Sequence, residues 1–220
     1  MILILSLSLG GATPPATVDL SLTPKLHLLA VGPRRDYVPD MVSPAFQTAE
    51  DLLRFHEPGK TAELVRGTLI VREPPGTGHG VIAARLLYRV MAYVEQHELG
   101  VVIAQDTGFR IARDPDTVRA PDVAFVARER LNQIPAAGYA ELAPDWVAEI
   151  LSPGERPGEV LEKVGQWLSG GVRLLWVLDP DRRHARVYRA DGSISMIGPD
   201  DELDGEDVIP DFRCPLRAIV

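Results

Sequence analysis

The stretch from Asp145 to Val172 constrains the fold of this chain more than any other segment. Trp146 to Leu151 is apolar at every position except Glu149, and an unbroken apolar run of this length predicts a strand buried on both faces. A helical pattern covers Glu159 to Gly170, and Val172 to Leu178 is apolar again. A strand, a helix and a strand in this order predict a right-handed crossover unit, in which the two strands are parallel neighbours.

Hairpins are predicted on both sides of this crossover unit. Apolar runs bounded by turn residues predict antiparallel strand pairs over 62–72, 101–126 and 184–197, and the second arm of the 101–126 hairpin carries Asp122. A long amphipathic helix is predicted over His79 to His97, with Gly100 as its terminating glycine. We therefore expect an α/β fold with a mixed central β-sheet flanked by helices, in a single domain over residues 46–220.

Residues 1–45 have a different character from the rest. Met1 to Gly11 is apolar and ends in small residues, as a signal peptide does, but it lacks a positive n-region and is too short to span a bilayer as a helix. Six prolines lie between Pro14 and Pro44, and no helical period is sustained there. A largely irregular N-terminal extension is therefore favoured over a secretion signal, and no membrane partner is expected.

The cysteine content and the net charge limit which cellular compartment and which binding partners are expected. Cys214 is the single cysteine, so an internal disulfide and a Cys/His zinc site are excluded and a reducing, cytoplasmic compartment is expected. The net charge of −8 argues against a chain whose whole surface binds nucleic acid, although it leaves room for a local basic groove. Arginines cluster over 110–130 and 182–189, and such clusters are more often a solvated face than a binding site.

Several short motifs occur in an order that resembles one known family. They are Glu63-Leu64 before Gly67, His79 opening a long helix, Thr107 to Arg110, Pro121-Asp122-Val123, Glu149 to Pro153, and Lys163 before Gly171-Val172. Over about residues 46–200 the set resembles the Uma-type family of endonucleases, within the PD-(D/E)XK restriction-endonuclease-like superfamily. The chain departs from the family at Glu159 and Trp167, where Asp and Tyr are usual. The resemblance implies a restriction-endonuclease-like fold, DNA as the partner and possible homodimers.

Hydrolysis of a phosphodiester bond would need two carboxylates and a lysine of the kind found in these motifs. A divalent metal polarises the phosphate and makes hydroxide available near neutral pH, and hard oxygen ligands suit Mg²⁺ (or Mn²⁺). We expect Asp122, Glu149 and the backbone carbonyl of Ile150 to hold the metal. Lys163 would complete a catalytic set with the two carboxylates, by orienting the attacking water or by stabilising charge on the phosphorus. The usual lysine of the superfamily would stand at Leu151, and the Uma-type family instead has its lysine on the following helix.

Three further residues are candidates for a supporting role. Glu63 is expected either as an additional or indirect metal partner or as an ordinary glutamate at a hairpin edge. His79 is either a helix-start residue or a base, and Gln105 points either into the core or into the site. The three catalytic candidates also have structural interpretations. Asp122 can be an aspartate that begins a strand, and Glu149 can form a buried ion pair with an arginine. Lys163 can be a surface lysine whose aliphatic chain covers apolar neighbours.

The sequence thus predicts a metal-dependent endonuclease that hydrolyses DNA phosphodiester bonds. Two alternatives stay open: a catalytically silent nuclease-fold protein that binds nucleic acid or a protein partner, and a hydrolase of small phosphoesters. Convergence of Asp122, Glu149 and Lys163 on one point favours the nuclease. Carboxylates on opposite faces of the sheet would exclude it.

Overall fold

The computed structural model describes residues 47–220, so the extension predicted over residues 1–45 lies outside the described residues. The helices are α1 (Ala49–Arg54), α2 (Thr77–Gln96) and α3 (Pro157–Gly170), with short 3₁₀ turns at Arg128–Gln133 and Leu216–Ala218. The first six strands are β1 (Thr61–Val65), β2 (Thr68–Arg72), β3 (Gly100–Ala104), β4 (Phe109–Ala112), β5 (Thr117–Arg119) and β6 (Val123–Ala127). The others are β7 (Trp146–Ile150), β8 (Leu174–Asp179), β9 (His184–Arg189), β10 (Ile194–Ile197), β11 (Glu202–Asp204) and β12 (Arg213–Pro215). Between residues 47 and 220 no helix has the length and apolarity needed to cross a bilayer.

The central element is a six-stranded sheet in the order β10-β9-β8-β7-β6-β3. β7 and β8 are parallel and are joined by α3, as the crossover pattern predicts, while the other neighbours are antiparallel. A four-stranded antiparallel sheet in the order β2-β1-β5-β4 lies beside it, and β11 pairs with β12. The predicted mixed α/β architecture is therefore present, with two further sheets that the sequence patterns did not separate.

The helices cover opposite faces of the six-stranded sheet. Because side chains alternate along a strand, Trp146, Ala148 and Ile150 of β7 share one apolar cluster with α2. Val147 belongs instead to the cluster that contains the apolar stripe of α3. Glu149 is two residues after Val147, so its side chain lies on the same face of β7, the face that α3 covers. The strand is buried on both faces, as its unbroken apolar run indicates.

The arms of the hairpin predicted over 101–126 are antiparallel, but the hairpin is divided between two sheets, which the sequence did not indicate. β3 pairs with β6 in the six-stranded sheet, whereas β4 pairs with β5 in the four-stranded sheet. Both arms leave one sheet and enter the other, at 105–108 on the first arm and 120–122 on the second. The sequence hides this break because both arms are apolar almost throughout. Asp122 lies at the break, immediately before β6.

Gly100 does not end the long helix, which corrects the prediction made from the sequence. α2 stops at Gln96 with His97 as its C-terminal cap, and Gly100 is the first residue of β3. A Cβ atom added at Gly100 would lie 2.1 Å from the carbonyl oxygen of Val126 on β6. The glycine is needed there because it lets the two strand backbones approach each other closely.

Candidate active site

A pocket of about 440 Å³ opens where the break between the two sheets meets the start of α2 and the side of α3. Every residue that the sequence singled out for the site lines it: Glu63, His79, Gln105, Asp122, Glu149, Ile150 and Lys163. The fold therefore brings together segments that are up to 100 positions apart in the chain. Their individual contacts differ, and these contacts decide what each residue can do.

Asp122 is fixed against the end of β7. Its Oδ2 atom accepts the backbone N–H of Ile150 at 2.7 Å and lies 3.2 Å from Nε2 of His79. The same Nε2 atom lies 3.0 Å from the carbonyl oxygen of Ile150. The hydrogen bond to Asp122 raises the pKa of His79 above its ordinary value, against the opposing effect of burial. His79 is thus part of the site rather than only a helix-start residue.

Glu149 has a partner at each carboxylate oxygen. Lys163 on α3 donates to Oε2 at 2.6 Å, and the indole N–H of Trp167 donates to Oε1 at 2.7 Å. Lys163 and Trp167 are four residues apart, so both project from the same side of α3 toward β7. Lys163 on the helix therefore reaches Glu149 on the strand, although the position where the superfamily usually has its lysine is occupied by Leu151.

The charges around this glutamate shift both members of the ion pair. Burial raises the pKa of Glu149 to about 7, and the nearby carboxylates of Asp122 and Glu63 add to the rise although Lys163 opposes it. Burial alone would lower the pKa of Lys163, but the carboxylates of Glu149, Glu63 and Asp122 outweigh it and raise that pKa. Lys163 is consequently an ammonium group at neutral pH.

Glu63 belongs to a second buried ion pair. Arg119 donates to its Oε2 at 2.6 Å, and the backbone N–H of Ala120 donates to its Oε1 at 3.0 Å. Arg119 also donates through Nε to Gln166 on α3 at 2.7 Å. Burial opposes ionisation of Glu63, yet Lys163, Arg119 and the Ala120 N–H lower its pKa overall. Glu63 thus braces the strand break beside Asp122 through both of its carboxylate oxygens.

Gln105 lines the pocket from the turn after β3, where its side chain is exposed. It makes no side-chain hydrogen bond within the part of the chain that the structure describes. Gln105 therefore does not belong to the core, and it lies at the exposed edge of the pocket.

Sequence reasoning missed two residues that contact the predicted set. From the sequence, Trp167 was noted only as a position where the family usually has Tyr, and Arg119 only as part of the arginine cluster over 110–130. Burial does not single out this tryptophan, since the indole N–H groups of the equally buried Trp146 and Trp176 have no acceptor among residues 47–220. The signal that could have suggested the pair is the need of the buried Glu149 for donors on the helix that crosses its strand. Nothing in the local sequence indicates the partner of Arg119.

The donor atoms suit a small divalent cation. Oδ2 of Asp122 and the carbonyl oxygen of Ile150 both lie within 3.2 Å of the Nε2 atom of His79, so the two oxygens are near each other. The Glu149 carboxylate lines the same pocket. Among residues 47–220, no three His, Cys, Asp or Glu side chains form a metal cage by themselves. A cation would therefore use the backbone carbonyl and water as well, which is how Mg²⁺ is usually bound.

Comparison with known proteins agrees with this geometry. Residues 49–217 match the sequence profile of the Uma2 family, described as "Putative restriction endonuclease". The chain belongs to the Uma2 family. The resemblance drawn from the motifs is thereby confirmed, and family membership supports a nuclease. None of the curated proteins matches the chain significantly.

A solved structure gives the same result for the fold. A protein from Anabaena variabilis, described as "a putative nuclease belonging to DUF820", superposes with a TM-score of 0.66 at 21% sequence identity. The match covers 78% of this chain and 96% of the other. At this identity the likeness establishes the fold alone, and it confirms the predicted restriction-endonuclease-like α/β class.

Proposed function

We propose that this protein is an endonuclease that depends on Mg²⁺ or Mn²⁺ and hydrolyses DNA phosphodiester bonds, with Asp122, Glu149 and Lys163 as its catalytic residues. The observation that carries the proposal is their meeting in one pocket, where Asp122 contacts the end of β7 and Lys163 contacts Glu149 on that strand. A structural ion pair accounts for Glu149 and Lys163 alone. It does not account for the meeting of an aspartate, a histidine and a backbone carbonyl beside them.

Asp122, Glu149 and the Ile150 carbonyl would hold the cation. When bound, the cation supplies Lewis-acid polarisation of the phosphate and a water of lowered pKa. Asp122 is positioned for this by the Ile150 N–H, which fixes Oδ2 at the strand end. Glu149 is positioned by Trp167, whose indole N–H holds Oε1 and so sets the plane of the carboxylate.

Lys163 serves as a fixed positive charge. The three surrounding carboxylates raise its pKa, so it does not release a proton near neutral pH and cannot act as a base there. Its side chain is 23% exposed toward the pocket, and its ammonium group can hydrogen-bond an incoming phosphate oxygen. Of the two roles that the sequence left open, the geometry favours stabilising charge on the phosphorus.

The pocket offers a phosphate backbone few cations, because seven carboxylates line it beside Lys60, Arg72 and Lys163. Lys60 and Arg72 lie together at the open end of the β1–β2 hairpin, and Lys60 is paired with Glu73. Cationic side chains along one wall can position phosphates without reading bases. The acidic net charge of the chain makes this a local contact, so we expect modest DNA affinity with a strong dependence on salt. A cytoplasmic location, a single domain over 46–220 and a homodimer that cuts both strands belong to the same proposal.

Nicking of supercoiled plasmid DNA tests the proposal. The wild type should nick in Mg²⁺ or Mn²⁺ and not in EDTA, and Asp122→Asn should lower the rate on the order of 10³-fold. Asp191→Asn is the matched control, since Asp191 is an exposed carboxylate in the β9–β10 turn, and it should nick like the wild type. DNA binding without cleavage by the wild type would favour the silent alternative, and nicking that persists in Asp122→Asn would show that the activity lies elsewhere.

A further inference from the structure

His79 reaches the two oxygen atoms that the proposed metal site would use. Its Nε2 atom is 3.2 Å from Oδ2 of Asp122 and 3.0 Å from the carbonyl oxygen of Ile150. A ring nitrogen carries at most one hydrogen, so a single N–H faces two acceptors that have no hydrogen to give. The side chain is only 7% exposed, so this shared contact is made in a largely dry site.

The separation of the His79 nitrogen from each oxygen is also that of ligands around one cation. In an octahedral site with metal–ligand distances of about 2.1 Å, adjacent ligand atoms lie about 3 Å apart. The separations from Nε2 to Oδ2 of Asp122 and to the Ile150 oxygen fall at this value. The His79 nitrogen is therefore separated from each of the two oxygens by the distance expected between neighbouring ligands of one ion.

The helix fixes the direction from which His79 approaches. His79 lies in the first turn of α2, seven residues before Leu86 and eleven before Val90, both of which are fully buried against the sheet. These separations are close to whole numbers of helical turns, so the imidazole projects from the packed face of α2. Packing of the whole helix thus holds the ring at the end of β7.

We propose that His79 is a ligand of the divalent cation, and that its nitrogen gives the site a preference for Mn²⁺ over Mg²⁺. This inference rests on the proposed metal-dependent function. Binding requires neutral imidazole with its Nε2 lone pair free, so the proton on Nε2 passes to solvent when the cation enters. An imidazole nitrogen suits first-row transition metals, whereas Mg²⁺ favours an all-oxygen shell.

Spectroscopy of bound Mn²⁺ tests the ligand directly, without reference to activity. Electron spin-echo modulation from nitrogen should appear in the wild-type Mn²⁺ complex and should change when histidine is labelled with ¹⁵N. Calorimetry should give Mn²⁺ binding on the order of 100-fold weaker in His79→Gln, with a smaller loss for Mg²⁺. His97→Gln is the control, because His97 caps the far end of the same helix and is exposed.

The wild-type spectrum keeps the test valid even if His79→Gln folds poorly. Mn²⁺ that binds in an Asp122-dependent way but shows no nitrogen modulation would overturn the role of His79 and leave the proposed function intact. Mn²⁺ that fails to bind the wild type, or binds Asp122→Asn equally well, would overturn both. Nitrogen modulation that persists in His79→Gln would also contradict the assignment, since it would come from another histidine.

Discussion

Two buried glutamates line the same pocket, and each is paired with a cation at 2.6 Å, yet their surroundings shift their pKa values in opposite directions. Glu63 and Glu149 are 7% and 6% exposed. The pKa of Glu63 is lowered, whereas burial raises that of Glu149 to about 7. Similar residues at similar depth therefore have different chemical states.

The partners explain the difference. Glu63 has two cations near it, Lys163 and Arg119, and also receives the Ala120 N–H, so its pKa falls although burial opposes this. Burial raises the pKa of Glu149 more than Lys163 lowers it, and the carboxylates of Asp122 and Glu63 raise it further. The pKa of Glu63 is thus held down by its partners, while burial and neighbouring carboxylates raise that of Glu149. Burial to the same extent does not fix the direction of a carboxyl pKa shift, because the neighbouring charges decide it.

The largest expected effect separates the two glutamates by activity. Glu149→Gln should lower metal-dependent nicking on the order of 10³-fold while the protein stays folded, because the amide oxygen can still accept the Trp167 N–H. Glu63→Gln makes the same chemical change in the brace and should act mainly through stability. Nicking rates are to be compared at a temperature where circular dichroism shows both variants folded. Equal losses of activity there would break the distinction.

Stability should show the reverse order. Glu63→Ala leaves Arg119 buried without its partner and should cost about 3–5 kcal/mol, and a second change, Arg119→Met, should recover much of the loss. Glu149→Ala should cost less, because Lys163 is partly exposed and can turn toward water. Urea unfolding of the three variants and the wild type measures these differences. A Glu149→Ala cost as large as that of Glu63→Ala would contradict the contrast.

The smallest expected effect is a difference in pH dependence. In metal-free protein the native pKa of Glu149 is about 7, above its ordinary 4.5, so its contribution to stability is full below pH 4.5 and is lost as the pH rises through 7. Glu63 has a lowered native pKa, so its contribution is present above pH 4.5 and is lost as the pH falls. Glu149→Gln should therefore gain stability relative to the wild type between about pH 4.5 and about pH 7.

Urea unfolding in EDTA across this range measures the pH effect, and Glu63→Gln serves as the comparison. Its stability difference from the wild type should change mainly below pH 4.5. A stability difference for Glu149→Gln that does not vary with pH would show that Glu149 titrates normally in the native state.

Much of the fold follows from periodicity, because periodicity reports which face of an element is buried. The unbroken apolar run around Glu149 predicted a strand buried on both faces, and the order of strand, helix and strand predicted the parallel pair β7–β8. The division of the long hairpin between two sheets could not be predicted in this way. Both arms present apolar residues to a core, and the pattern does not say which core.

The motifs pointed to residues that meet in one pocket, but not to the atoms that each of them contacts. The motifs named Asp122, Glu149 and Lys163, and all three line the pocket. Sequence patterns give faces and spacings but not the partner of a particular atom, which depends on how elements pack in three dimensions. The Trp167 donor, the Arg119 brace and the shared contact of His79 were missed for this reason.

Asp122 lies where the long hairpin passes from one sheet to the other. On one side, pairing of β3 with β6 and the Ile150 N–H hold the aspartate in place. On the other side, β4 and β5 lead to a turn at residues 113–116, which lines a different pocket together with Gln47 and Arg110. Changes in that turn would therefore alter a separate surface, whereas insertions at 105–108 or 120–122 would displace the carboxylate itself. One hairpin thus carries a residue of the candidate site at one end and an independent surface at the other.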